Sequence, residues 1–87
     1  MSEDKYSSLR KQLERDFQFP LKYMFKFIVP DAKVEEIKPL FETGVIKERA
    51  SSTGKYRSIT ITMIVLSPED VIDKYKSVAH IKGIVAL

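Results

Sequence analysis

The densest run of side chains able to hold an anion lies between Arg49 and Ser58. Arg49, Ser51, Ser52, Gly54, Lys55, Tyr56, Arg57 and Ser58 bring guanidinium, ammonium and hydroxyl groups into close succession. Such groups suit contact with a phosphate, and the stretch is the candidate for binding a ligand or a partner. Gly54-Lys55 invites a phosphate-loop reading, but that motif needs Gly five residues before its Gly and Ser or Thr after its Lys. Arg49 and Tyr56 stand at those places, so the stretch reads as a hairpin turn with Gly54 supplying the turn geometry.

Catalytic groupings are not apparent elsewhere. His80 is the only histidine and there is no cysteine, so a metal site with N and S ligands is not expected. Glu35 and Glu36 are adjacent and therefore on different faces of a helix. Ser51, Ser52 and Ser58 lack an evident base, which a serine nucleophile requires. The expectation is a protein that is not an enzyme and uses no cofactor or metal.

The elements that must position the hairpin follow from periodicity. Leu9, Leu13 and Phe17 fall on one face of a predicted helix from Ser7 to Phe17. After Pro20, Leu21, Tyr23, Phe25, Phe27 and Val29 alternate with Lys22, Met24, Lys26 and Ile28, the pattern of a half-buried strand. Asp31 is placed to cap a helix carrying Val34, Ile37, Leu40 and Phe41, which Pro39 should kink or divide. Gly44 stops it. Val45 to Ala50 reads as a charged edge strand and Tyr56 to Leu66 as the longest strand, with Ile59, Ile61, Met63 and Val65 inward. Ser67-Pro68-Glu69-Asp70 opens a helix: an N-cap, a proline suited to the first turn and two acids on the positive dipole end. Val71, Ile72, Tyr75 and Val78 form its buried face, and a strand from Ile81 to Leu87 closes the chain.

This order predicts an α+β protein: a ferredoxin-like βαββαβ sandwich, with two helices on one face of a four-stranded antiparallel sheet, plus a short N-terminal helix. Residues 1–18 are read as a helical extension and 19–87 as the domain. The open sheet face should carry Lys22, Met24, Lys26, Lys47, Arg49, Tyr56, Ser58, Thr60 and Thr62. With Tyr56 its single aromatic, RNA reading by base stacking is not expected. Phosphate contact through Lys22, Lys26, Lys47, Arg49, Lys55 and Arg57 is a weaker alternative. The Thr/Ser row with Met24 and Ile28 suits a second copy or a client protein.

Composition agrees with one small folded domain. The chain has 87 residues, 44% hydrophobic and 31% charged, with net charge +3. That is too apolar for disorder and too weakly basic for a dedicated nucleic-acid binder. The N-terminus has no apolar signal-peptide core and no stretch is long enough for a membrane span, so a cytoplasmic protein without membrane contact is expected.

Phe19-Pro20, the aromatic strand with Lys26, and Ser51-Ser52-Thr53-Gly54-Lys55-Tyr56-Arg57-Ser58-Ile59-Thr60-Ile61 resemble the YbeD-like family of small uncharacterised bacterial proteins. The end from Val71 through Tyr75 to Leu87 is similar too, so the likeness covers about residues 17–87. It implies an ACT-like ferredoxin fold, akin to regulatory domains that bind amino acids. A non-enzymatic regulatory or protein-interaction module is the expected function. A small-ligand, amino-acid-like sensor, or weak nucleic-acid binding through the basic hairpin, is the alternative.

Overall fold

A computed structural model describes residues 5–87, so residues 1–4 of the predicted extension lie outside the described residues. The protein is α+β, with helices packed on one face of a four-stranded antiparallel sheet. Its elements are α1 (Ser7–Asp16), β1 (Leu21–Pro30), α2 (Val34–Ile37), β2 (Val45–Ala50), β3 (Tyr56–Val65), α3 (Pro68–Val78) and β4 (Val85–Ala86). The strand order is β2-β3-β1-β4.

β1 and β3 form the centre. They pair along their whole length, from Leu21 opposite Val65 to Pro30 opposite Tyr56. The period-two pattern of β1 is realised: Phe25, Phe27 and Val29 are fully buried while Lys22, Met24 and Lys26 are exposed. Ile59, Ile61 and Val65 continue the buried row on β3. The Phe25 ring packs against Tyr23 (4.8 Å between centroids), Phe41 (5.4 Å) and Tyr75 (5.4 Å).

The segment after β1 is divided as Pro39 dictates: a 3-10 turn (Asp31–Lys33), α2, then a second 3-10 turn (Lys38–Phe41). Asp31 does not cap it. Its carboxylate is drawn across the sheet edge to Arg57, whose Nη2 and Nε reach Oδ1 at 2.7 and 2.9 Å. A pair charged on both sides, made through two guanidinium N–H groups, takes the carboxylate in preference to a backbone N–H. In α3 the local signal suffices, and Ser67 Oγ accepts from the Asp70 backbone N–H at 3.3 Å.

Two further expectations are corrected. Phe17 leaves the apolar stripe of α1 because the backbone turns extended there (φ −132°, ψ 149°), leaving it exposed. Leu13 is buried, Leu9 packs on the core, and Arg10 pairs with Glu69 of α3. The last strand is also much shorter than Ile81–Leu87. Ile81 N–H donates to Val78 C=O and Ile84 N–H to Ile81 C=O, while Gly83 takes φ +85°, so a turn ending at Ile81 runs directly into a second over 81–84. β4 meets only Phe27 and Ile28 of β1.

The Tyr75 hydroxyl lies 3.2 Å from that of Tyr23. Burial first, then this hydrogen bond, holds Tyr75 well above the ordinary tyrosine range. The fold therefore favours the neutral phenol. That contribution is complete below the ordinary value near 10 and is lost as pH rises above it, where the unfolded chain alone releases the proton. Thermal scans should show stability falling above about pH 10, with a shallower fall in Tyr75→Phe. Equal slopes would refute this.

Candidate functional site

The helices cover one side of the sheet and leave the other open. The open rows follow from register. Val45, Thr62 and Met24 form one rung; Lys47, Thr60 and Lys26 the next; Arg49, Ser58, Ile28 and Val85 the third. An antiparallel sheet with one solvated face normally shows polar residues there. Here every large apolar side chain exposed among the described residues, apart from Phe17, belongs to this side: Met24, Val45, Tyr56, Ile64, Leu66, Val85 and Leu87. Leu66 stands in the bend just past β3, and Leu87 just past β4, where its N–H still donates to Lys26 C=O.

The ionic groups are sorted as sharply. Lys22, Lys26, Lys47 and Arg49 are the charged residues of the outward rows and have no ion-pair partner among the described residues. On the helix side one cluster of charges is matched around Glu48. Arg57 bridges Asp31 and Glu48, and Glu48 also takes Lys38 at 2.9 Å. The hydrogen bond from Lys38, then that from Arg57, holds the Glu48 carboxyl below its usual range against the opposing effect of burial.

The predicted hairpin residues separate in three ways. Arg49, Ser51, Ser52, Tyr56 and Ser58 line a shallow hollow of about 510 Å³ with Ile28 and Ala50, at one end of the open face. Gly54 (φ +74°) and Lys55 form the tip. Arg57 points to the opposite side of the sheet, because it shares the parity of Ile59 and Ile61; its guanidinium is committed to carboxylates and is not part of the basic face. Ser51 serves the turn: its N–H donates to Tyr56 C=O at 2.9 Å and its Oγ accepts from Tyr56 N–H at 3.3 Å. The turn after β1 is tied to the hairpin, since Asp31 N–H donates to Lys55 C=O at 2.9 Å. His80 is exposed in the turn beyond α3.

The model of a protein family described as "Protein of unknown function (DUF493)" matches residues 14–87. The chain belongs to the DUF493 family. No curated protein and no solved structure matches it. The DUF493 match starts inside α1, so most of that helix precedes it while its buried Leu13 packs on the matched region.

Val45, Ile64, Leu66, Val85 and Leu87 were absent from the sequence-based list of open-face residues. Extending the β3 alternation through Ile64 to Leu66 would have found two of them, and the same parity would have set Arg57 apart from the other hairpin residues. Val85 and Leu87 depend on where β4 begins, which the turns over 78–84 decide. No helix among the described residues is long and apolar enough to cross a membrane.

Proposed function

We propose that this DUF493 protein is a non-catalytic, cytoplasmic interaction module that binds another polypeptide through the open face of its sheet. The observation carrying this reading is the set of large aliphatic side chains on a face that solvated sheets keep polar. At a strand rise of ~3.4 Å and spacing of ~4.8 Å the whole face spans roughly 450 Å² in projection, shared between these aliphatic side chains and the polar rung Lys47–Thr60–Lys26. The strand order, taken from the other edge, is 4-1-3-2, which supports a ferredoxin-like and ACT-like reading of the fold. Among the described residues no polar or charged side chain is fully buried, and the group that burial moves furthest, the Tyr75 phenol, is held against the Tyr23 hydroxyl on the helix side, away from this face.

A photo-crosslinking amino acid at Thr62, in the middle of the face, should give an adduct with a protein partner in living cells. The same residue at Asp73, exposed on α3, should give none. Adding Ile64→Ser should abolish the Thr62 adduct while changing stability by no more than ~0.5 kcal/mol, as expected for an exposed site. Equal adducts from both positions, or none from Thr62, would refute the reading.

A further inference from the structure

Resting on that reading, we propose that the partner is an acidic amphipathic polypeptide. Its carboxylates meet Lys26, Lys47 and Arg49, and its aliphatic side chains meet Met24, Val45 and Ile64. The outward rows hold cations and no carboxylate. Their cations are unpaired among the described residues, whereas the described acids of β2 and the β1–α2 turn are engaged on the helix side.

The arrangement within the face selects among occupants. The rung Lys47–Thr60–Lys26 crosses the middle of the sheet, with Val45–Thr62–Met24 beside it and Ile64 beyond. Lys26 and Lys47 stand two strand spacings apart, about 9.6 Å. A second copy packed face to face about a two-fold axis through the centre would set this rung against itself, and like charges opposed across an interface are repulsive. A lipid surface suits cations confined to the rim, where they reach headgroups while aliphatic groups insert; here Lys47 and Arg49 do lie on the edge strand β2, but Lys26 stands on central β1 between Met24 and Ile28, in the part that would have to insert. Single-stranded nucleic acid needs aromatic platforms, and the outward rows offer only Tyr56, at one end. Carboxylates alternating with aliphatic side chains satisfy both components at once.

The test is an amide-resonance titration of the full chain with three ten-residue peptides, matching the ten residues of β1, in which Leu alternates with Glu, with Lys or with Ser. The Glu peptide should shift Met24, Lys26, Thr60, Thr62 and Ile64, and should bind about tenfold more weakly when salt rises from ~0.05 to ~0.5 M. The double variant Lys26→Glu and Lys47→Glu should reverse the preference toward the Lys peptide. Arg57→Ala, a cation on the other side, should leave it unchanged. The inference is overturned if the Lys or Ser peptide binds as well as the Glu peptide, or if all three are silent. It is also overturned if the protein dimerises through this face, or if polyuridylate or phosphatidylglycerol vesicles shift these amides while the Glu peptide does not. In each of these cases a Thr62 adduct with a protein keeps the broader reading, and its absence removes both.

Discussion

Phe25→Ala is expected to bring the domain to the edge of unfolding. Phe25 is completely buried at the middle of β1, and its ring meets Tyr23, Phe27, Phe41 and Tyr75. Those residues come from the strand, the segment after α2 and α3, so one ring joins the sheet to its helical layer. Truncating a buried phenylalanine costs about 3–5 kcal/mol. A domain of this size is stabilised by only about 4–13 kcal/mol in total. Thermal denaturation should therefore show a midpoint roughly 15–30 °C lower, with the cooperative transition lost if the total lies near the lower bound. Phe25→Leu, which keeps most of the volume, should lose less than half as much. A loss under about 1 kcal/mol for the alanine variant would mean that the aromatic cluster is not the centre of the core.

The second large effect separates two glycines with the same backbone sign. Gly54 has φ +74° and Gly83 has φ +85°, so an L residue is strained at either. Around Gly54 nothing lies within 4 Å of an added Cβ, whereas at Gly83 it would stand 2.8 Å from Cγ of Pro30 and 3.3 Å from its Cδ. The pyrrolidine ring cannot swing aside as a flexible side chain could. Gly54→Ala should cost about 1 kcal/mol, for strain alone. Gly83→Ala should cost about 2–4 kcal/mol, for strain plus overpacking. Because the turn at Gly83 delivers β4 to β1, that variant should also show fast amide exchange at Leu87, whose N–H donates to Lys26 C=O at 2.9 Å. Equal destabilisation in the two variants would show that the contact with Pro30 carries no weight.

Much of the framework was legible because its signals are local. The alternation from Leu21 to Val29 needs only the two-residue repeat of a strand to assign Phe25, Phe27 and Val29 to the interior. Ser67 caps α3 because its oxygen reaches an N–H three residues away, and Pro39 divides its segment by lacking an N–H. Where sequence reading departed from the structure, a distant group competed with the local one. Asp31 was available as a cap until β3 brought Arg57 to it. Ile81 to Leu87 had the composition of a strand, but a strand forms only where a neighbour offers its edge, and the turns over 78–84 leave two residues aligned with β1.

The same division applies to the candidate site. Alternation by itself determined that Lys22, Met24, Lys26, Lys47, Arg49 and Ser58 face away from the core, since parity is intrinsic to an extended chain. It could not determine which of these residues become neighbours, because that depends on register between strands far apart in sequence. Only the tertiary structure placed Lys26, Thr60 and Lys47 in one rung, gathered the exposed aliphatic side chains of β1, β2, β3 and β4 on one side, and gave Arg57 its carboxylate partners Asp31 and Glu48. The physical reason is that strand pairing and helix packing minimise buried polar cost for the chain as a whole: Arg57, turned toward the helices, is neutralised by Asp31 and Glu48, while Lys26, Lys47 and Arg49 keep their water on the open face.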